Sequence, residues 1–427
     1  MAILVERENI GIFGKMNAGK SSILNLLTQS ESSITDSTPG TTADTKVAMQ
    51  EIHGIGPVKL SDTAGINEDT PLGSKKRRKV ESVLKETDLA LLVIDPESRD
   101  FTPEQFIFEK ARENGVQIIT IFNLFSKNAA EDIPEVNHAI PALNRYPSIS
   151  LSAIDTTERN RLLSTILNYY EPKNDKRELL PFVEKDRFYV LIIPMDVETP
   201  PGRFLRPQSM VQEYITRKWA YPVPYRIDLN RARSENADEV LTEYRRFESF
   251  LHNLPNTAAV ITDSQAMDII SQWVPVEILL TTFSIVMINY FSRGRLPDFA
   301  SGIRTLDTLK QGDKILIVEA CNHSRSGDDI GTVQIPRFLE KHYPSVHVDF
   351  NFGREFYDNE RISEYSLIIH CGGCMISSQK LLSRIRELEA AGVPYTNYGL
   401  FLSYMSGREA LSRVIEPFQT ETASSLY

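Results

Sequence analysis

The sequence predicts an α/β protein built on mostly parallel sheets. A glycine-rich turn stands between an apolar run at residues 10–13 and a helical stretch. Short apolar runs then alternate with helical stretches, and the same alternation returns in the last third of the chain. A polar stretch near residues 171–181 separates the two parts. Because 427 residues are too many for one core, we expect several domains.

Three domains are predicted. Residues 1–172 form a doubly wound nucleotide-binding domain with a mostly parallel sheet, and residues 257–427 form a second α/β domain with a parallel sheet. Between them, residues 182–256 form a small α+β connector without acid–base pairs, nucleophiles or metal-ligand spacing. A module of this size gains burial by self-association, so we expect a dimer.

Composition narrows the function classes. The formal net charge of −10 argues against general nucleic-acid binding, and we interpret the basic run at residues 75–79 as the solvated start of a helix. The most apolar stretch, residues 273–291, contains Pro275, Glu277 and Asn289, which favours a buried strand and helix over a membrane span. Three cysteines and no leader pattern are typical of a protein of the reducing cytoplasm.

Residues 14–21 match the phosphate-loop pattern G-x-x-x-x-G-K-S. Its glycines let backbone N–H groups surround nucleotide phosphates, and the helix that follows adds its N-terminal dipole. Lys20 is expected to reach the β- and γ-phosphates, and Ser21 to bind Mg²⁺. The predicted phosphate-binding residues are Gly14, Asn17, Ala18, Gly19, Lys20, Ser21 and Ser22.

Two later segments supply candidate switch residues. Thr41 and Thr42 lie in the segment STPGTTAD, and Asp62 lies at the end of a predicted strand in VKLSDTAGI. An aspartate at this place holds Mg²⁺ through water, and the N–H of Gly65 is placed to sense the γ-phosphate. The first domain is therefore expected to bind a nucleoside triphosphate with Mg²⁺.

This set of motifs resembles the translation-factor-like GTPases, most closely their Era and tRNA-modification branch. The resemblance implies that Asn17 helps to bind K⁺ and that K⁺ stimulates GTP hydrolysis. Ile66 stands where some GTPases have a catalytic glutamine, so intrinsic turnover is expected to be slow. Glu68 and Asp69 are interpreted as exposed switch-loop acids, and no catalytic residue is assigned.

The guanine-recognition motif departs from the usual N-K-x-D, because residues 123–126 are NLFS. The missing aspartate would accept two hydrogen bonds from guanine, and the missing lysine stem would cover the base. Loss of such a charge-assisted contact costs about 2 kcal/mol. Asn123, Ser152 and the backbone N–H of Ala153 remain as predicted base-site residues, and GTP is the expected nucleotide.

All three cysteines lie in two short segments of the last third. Cys321 and His323 follow one predicted strand, and a second one ends at His370, directly before Cys371 and Cys374. Because parallel strands end at a common sheet edge, these side chains are expected to meet there. Three thiolates suit a [4Fe–4S] cluster with one open iron position, or a Cys₃His zinc site. The alternative is that they are buried free cysteines.

The spacing Cys321-x-His323, 46 residues, then His370-Cys371-x-x-Cys374 resembles the signature of HydF, the GTPase maturation factor of [FeFe]-hydrogenase. The resemblance extends over nearly the whole chain and makes the middle module a dimerisation domain. It implies that the three cysteines ligate a [4Fe–4S] cluster whose fourth ligand is exchangeable. His323 and His370 are the candidates for that ligand or for a contact to cargo, with Glu319 as a further carboxylate candidate.

The resemblance also implies a role and partners. The family carries a transient di-iron precursor with CO and CN⁻ ligands. The radical-SAM maturases HydE and HydG build this precursor, and HydF delivers it to apo-hydrogenase. An open iron position suits a carrier, and GTP is expected to time partner exchange.

Two alternatives belong to other classes. One is an Era-type GTPase that acts on tRNA or ribosomes and holds a structural zinc ion in its C-terminal domain, which bound zinc or co-purifying RNA would support. The other is an iron–sulfur redox switch that gates nucleotide hydrolysis. A reversible midpoint potential that alters turnover would distinguish such a switch from a carrier.

Overall fold

The computed structural model shows an α/β protein that divides into two compact units, Met1–Asp175 and Lys176–Tyr427. It describes residues 7–29, 46–63, 65, 71–172, 178–194, 204–319, 329–353, 359–373 and 376–419. The first unit contains one six-stranded sheet, and the second contains two four-stranded sheets.

The sheet of the first unit has the strand order β2-β3-β1-β4-β5-β6. Only β2 runs antiparallel to its neighbour; the other pairs are parallel. The strands are β1 Glu8–Phe13, β2 Lys46–Ile52, β3 Gly56–Asp62, β4 Leu89–Ile94, β5 Gln117–Asn123 and β6 Ser148–Leu151. The helices are α1 Lys20–Thr28, α2 Pro71–Leu84, α3 Thr102–Glu113, α4 Ile133–Ala139 and α5 Arg159–Tyr169.

The central strands of this sheet are buried along their length. Every residue of β4 and all but the first of β5 are buried, as expected for parallel strands covered on both faces. The strands β1, β3, β5 and β6 end at one edge, where Ile12 pairs with Asp62 and Asn123 pairs with Leu151. The predicted nucleotide-binding residues that the structure describes lie at this edge or in the loops that leave it.

The first sheet of the second unit has the order β10-β9-β7-β8, and all its strands are parallel. Its strands are β7 Phe188–Ile192, β8 Tyr221–Tyr225, β9 Thr257–Thr262 and β10 Leu279–Thr282. The helices of this part are α6 Arg206–Arg217, α7 Leu229–Ala232, α8 Ala237–His252, α9 Met267–Trp273 and α10 Phe283–Phe291.

Two features of this sheet differ from the sequence-based expectation. The domain boundary predicted between residues 256 and 257 divides the sheet, because β9 and β10 lie beyond it and β9 pairs with β7. The pattern AAVIT predicts a buried strand equally well in either sheet, so it does not reveal which one. The sheet is also wholly parallel, whereas the prediction was a small α+β module.

The last sheet has the order β12-β11-β13-β14 and is also wholly parallel. Its strands are β11 Lys314–Glu319, β12 His347–Phe352, β13 Leu367–His370 and β14 Tyr395–Asn397. The helices are α11 Leu296–Ile303, α12 Ile335–His342, α13 Asn359–Ile362, α14 Ser378–Ala390, α15 Tyr398–Met405 and α16 Arg408–Ile415.

Both sheets of the second unit share one continuous hydrophobic core. Thr281 Oγ1 donates a hydrogen bond to Val414 O at 3.0 Å, and Asn397 Nδ2 donates one to Ser284 Oγ at 3.2 Å. The apolar stretch at residues 273–291 forms β10 and the largely buried α10, as predicted. None of the helices in the described ranges has the length and apolar character that a membrane crossing requires.

Candidate functional site

The loop between β1 and α1 has the strained backbone of a phosphate-binding loop. The φ angle is 151° at Gly14, 66° at Asn17 and 96° at Gly19, and all three values favour glycine or asparagine. A Cβ on Gly14 would lie 2.3 Å from Val93 O, and one on Gly19 would lie 2.1 Å from Asn123 Nδ2. Both glycines are therefore required by contact as well as by conformation.

Helix α1 begins at Lys20 and directs its N-terminus into this loop. Lys20 is buried, and its Nζ donates a hydrogen bond to Lys15 O at 2.7 Å. Ala18 is buried beneath the loop, and Ser22 is half-buried in the first helical turn. The structure therefore places the lysine ammonium inside the loop that is expected to surround the phosphates.

Ser21 and Asp62 bring two oxygen atoms together beside the loop. Ser21 Oγ donates a hydrogen bond to Asp62 Oδ2 at 2.6 Å. Asp62 Oδ1 is buried and has no hydrogen-bond partner among the residues that the structure describes. Burial raises the pKa of the Asp62 carboxyl, although the Ser21 hydroxyl and the Lys20 charge oppose the rise. A buried oxygen without a partner beside a hydroxyl fits Mg²⁺, which prefers oxygen ligands and retains water.

Gly65 lies against the phosphate loop. A Cβ at this position would lie 2.6 Å from Met16 N and 3.0 Å from Lys20 Nζ. Its backbone therefore approaches the phosphate loop closely, and its predicted contact with the γ-phosphate stays a prediction. The other candidates of the switch segments, Thr41, Thr42, Ile66, Glu68 and Asp69, lie outside the described residues.

Asn123 joins the two loops of the predicted base site. Its Nδ2 donates a hydrogen bond to Ala18 O at 2.9 Å, and its Oδ1 accepts one from Ala153 N at 2.9 Å. Asn123 is 2% exposed, and Ser152 beside Ala153 is half-buried. Asn123 therefore fixes the phosphate loop to the loop after β6.

The loop between β4 and α3 also contacts the phosphate loop, which was not predicted from the sequence. Lys15 N donates a hydrogen bond to Glu104 Oε1 at 3.3 Å, and Lys15 Nζ donates to Ser98 Oγ and to Asp100 O. Glu104 is buried, and burial raises the pKa of its carboxyl. Glu97, in the same loop, accepts a hydrogen bond from Ser126 Oγ at 2.9 Å. The only local signal was the concentration of acids in the segment DPESRDFTPE.

The second candidate site lies in the other unit, at the carboxyl ends of β11, β12 and β13. Cys371 N donates a hydrogen bond to Val318 O at 2.9 Å, and Gly353 N donates one to Glu319 O at 2.9 Å. Cys371 and Glu319 are both buried. The three strand ends therefore meet at one edge, as the sequence predicted.

His370 is held on both ring nitrogens at this edge. Its Nδ1 lies 2.6 Å from Cys371 O, and its Nε2 lies 2.7 Å from an Arg384 Nη1. A guanidinium only donates, so Nε2 accepts and the hydrogen of the ring is on Nδ1. Arg384 also donates from Nη2 to Gly353 O at 2.8 Å. It therefore connects the ends of β12 and β13.

Part of the predicted cysteine cluster lies beyond what the structure describes: Cys321, His323 and Cys374 are outside the described residues. Among the residues that are described, no three His, Cys, Asp or Glu side chains are close enough to hold a metal ion. Cys321 comes two residues after the end of β11 in sequence. Gly373, between the other two cysteines, has a φ of 65°, which suits glycine.

Three family models match the chain. The 50S ribosome-binding GTPase model matches residues 9–124, the hydrogen maturase F dimerization domain matches 179–291, and its tetramerization domain matches 297–417. The last two together cover more than half of the chain. The two oligomerisation domains indicate that the chain forms homo-oligomers, and the GTPase domain indicates GTP hydrolysis.

Individual relatives match less than half of the chain. The tRNA modification GTPase MnmE of Syntrophomonas wolfei is 38% identical over 125 residues, 29% of this chain and 27% of the relative. GTPase Der of Wolinella succinogenes is 32% identical over 176 residues, 38% of this chain and 36% of the relative. The chain thus spans about a quarter to a third of the length of these relatives.

The match to a solved structure is also partial. Aquifex aeolicus Era bound to GDP.AlF4- has a TM-score of 0.33 and 20% identity, and the match covers 52% of this chain and 93% of that one. The motif residues, the phosphate-loop geometry and the two maturase domain matches agree. The chain belongs to the HydF family of hydrogenase maturase GTPases.

Proposed function

We propose that this hydrogenase maturation GTPase carries a [4Fe–4S] cluster and a di-iron precursor with CO and CN⁻ ligands, and that it delivers the precursor to apo-hydrogenase. The radical-SAM maturases HydE and HydG are the proposed sources of the precursor. The hydrogen bond from Cys371 N to Val318 O, 2.9 Å long, carries the proposal. It brings the backbone of Cys371 to the edge where β11 ends, and Cys321 follows that end by two residues in the sequence.

The chemistry of the edge fits a cluster. Cys371, Cys321 and Cys374 would hold it, since thiolates are the ligands that iron–sulfur clusters take. The cluster would supply an iron position whose ligand exchanges. Cys371 is only 6% exposed, so a ligand bound there is kept from bulk water. Three reduced cysteines also require a reducing compartment, and we propose the cytoplasm.

The nucleotide site supports a timing role for GTP. Ser21 and Asp62 would hold Mg²⁺, and Asn17, exposed at the tip of the loop, would help to bind a stimulating K⁺. Hydrolysis does no evident chemistry on iron, so we propose that it times partner exchange. Lys20→Ala is then expected to keep the cluster and to lose maturation. Activation of apo-hydrogenase at the full rate by this variant would refute the timing role.

The cluster is tested by low-temperature EPR and by iron and zinc analysis of anaerobically purified, dithionite-reduced protein. Samples are compared before and after reconstitution with iron and sulfide, with Cys321→Ala as the variant. A fast-relaxing [4Fe–4S]⁺ signal that the variant loses or alters is the expected result. One zinc per chain and no iron signal after reconstitution would contradict the carrier proposal. That result would favour a GTPase with a structural zinc site.

A further inference from the structure

The base site of the GTPase unit lacks the lysine and the aspartate of the usual N-K-x-D motif. Leu124 stands in place of the lysine and Ser126 in place of the aspartate. The backbone N of Leu124 donates to Leu151 O at 2.9 Å, so the loop after β5 keeps its place beside β6. The Ser126 hydroxyl donates its hydrogen to Glu97 Oε1 at 2.9 Å. A carboxylate is thus present beside the aspartate position, but it comes from another loop.

We infer that Glu97 accepts hydrogen bonds from the guanine base in place of the missing aspartate, and that Phe125 covers the base in place of the missing lysine. The inference concerns the GTPase unit alone. It does not depend on the cluster or on the carrier role proposed above.

The loop that presents Glu97 is fixed at both ends. Glu97 N donates to Asp95 Oδ1 at 3.0 Å, and Ser98 N donates to Asp95 O at 3.1 Å. Lys15 Nζ, in the phosphate loop, donates to Ser98 Oγ at 3.3 Å and to Asp100 O at 3.2 Å. The position of Glu97 is therefore set relative to the phosphate loop, which is the condition for reading a base whose phosphates that loop holds.

The carboxylate has the right chemistry for guanine. A carboxylate offers about four lone-pair sites, and the bond from Ser126 uses one of them. Guanine presents N1–H and N2–H donors on the same edge, so both find an acceptor. Adenine presents a lone pair at N1 and xanthine presents an oxygen at C2, and a carboxylate repels both. Glu97 would therefore select guanine, whereas an amide in its place would accept xanthine.

Phe125 lies beside the phosphate loop. Its side chain is 55% exposed, and its Cζ is 3.5 Å from the position of a Cβ on Gly19. An exposed aromatic ring is costly to leave in water, and a purine stacked on this one, beside the N-terminus of α1, would remove that cost. Stacking is insensitive to the identity of the base. Phe125 should hence contribute affinity and Glu97 selectivity, which allows the two roles to be separated.

The test measures dissociation constants for GDP, IDP and XDP with the full-length protein. Glu97→Gln is expected to weaken GDP binding by about 10- to 100-fold and to strengthen XDP binding, because hydrogen bonds to a charged group are lost. IDP, which lacks the 2-amino group, should lose less binding affinity than GDP does. Glu113→Gln, an exposed acid at the other end of α3, is the matched control and should leave all three constants unchanged.

Two further variants, Phe125→Ala and Ser126→Asp, test the two roles separately, and the first does not depend on the stability of Glu97→Gln. Phe125→Ala should weaken GDP, IDP and XDP by similar factors, about tenfold, without changing their order. Ser126→Asp restores the usual acceptor, and in that background Glu97→Gln should no longer alter the preference for GDP over XDP. An unchanged GDP-to-XDP ratio in Glu97→Gln, with Ser126 in place, would overturn the inference.

Discussion

Replacing Asn123 with alanine removes two buried hydrogen bonds at once. In the native protein its side chain donates to Ala18 O and accepts from Ala153 N, both at 2.9 Å. Ala18 and Ala153 are themselves buried, so water has no open path to either group. A buried backbone group without a partner costs about 1–3 kcal/mol. Because two such groups lose their partners, the free energy of unfolding of the GTPase unit should fall by about 2–6 kcal/mol.

Local and functional readouts follow from the same contact. The amide of Ala153 should exchange its hydrogen faster by at least about 10-fold, since opening costs less once the acceptor is gone. GDP affinity should fall as well, because the phosphate loop is no longer fastened to the loop after β6. Hydrogen exchange by mass spectrometry and titration with GDP measure the two effects on the full-length chain.

Asn253→Ala is the matched control for this prediction. Asn253 Nδ2 also donates to a backbone oxygen, Ser249 O at 2.8 Å, but in an exposed setting where water replaces the bond. Its removal should cost less than about 0.5 kcal/mol. If Asn123→Ala changed stability and amide exchange no more than Asn253→Ala does, the bridging role of Asn123 would be wrong.

Three further changes test the two sites. Burial raises the pKa of Asp62, so a proton competes with Mg²⁺ for its carboxylate. Below that pKa, the Mg²⁺ affinity of the GDP complex should increase by up to about tenfold for each unit by which the pH is raised. In titration calorimetry, the Mg²⁺ affinity of Asp62→Asn should not change with pH. The raised pKa also means that the folded protein binds this proton more tightly than the unfolded chain does. The metal-free protein should therefore lose stability as the pH rises from the ordinary carboxyl range through the raised pKa. Gly65→Ala brings a Cβ to within 2.6 Å of Met16 N, so the rate of GTP turnover in a phosphate-release assay should fall about 10- to 100-fold. Unchanged turnover would refute the close approach of Gly65 to the phosphate loop. Arg384→Met removes the donors to His370 Nε2 and Gly353 O, so the free energy of unfolding in urea should fall by about 2–6 kcal/mol. The control Arg337→Met, at an exposed position, should leave that free energy almost unchanged. Equal losses in the two variants would contradict the contacts that Arg384 makes with both strand ends.

What the sequence predicted well is either local in sequence or fixed by topology. The phosphate loop is local, because its glycines, lysine and serine are neighbours along the chain and their spacing determines the backbone. The meeting of Cys371 with the end of β11 is topological, since parallel strands must end at a common edge. Neither prediction required knowledge of how side chains pack.

What the sequence did not predict depends on contacts between distant segments. Glu104 contacts Lys15 across 89 positions, and Glu97 contacts Ser126 across 29, so no local pattern links them. For a related reason, the sequence put β9 in the last domain, whereas the structure puts it in the middle sheet. A short apolar strand predicts burial but carries no information about which strand it pairs with. The partners of a strand are decided by packing, here by the core that both sheets share.

The geometry around His370 bears on which residue would be the fourth ligand of the proposed cluster. For His370 to bind iron through Nε2, it would have to give up the bond from Arg384, and hydrogen bonds to charged groups are worth about 1.5–3 kcal/mol. The guanidinium would then remain buried with one acceptor fewer, at further cost. In its present tautomer, His370 donates from Nδ1 to Cys371 O and so fixes the backbone of the residue that is proposed to ligate iron. This arrangement favours His370 as a residue that positions the cysteine loop. Exchange of the fourth ligand would then leave the buried Arg384–His370 pair undisturbed, as the proposed carrier role requires.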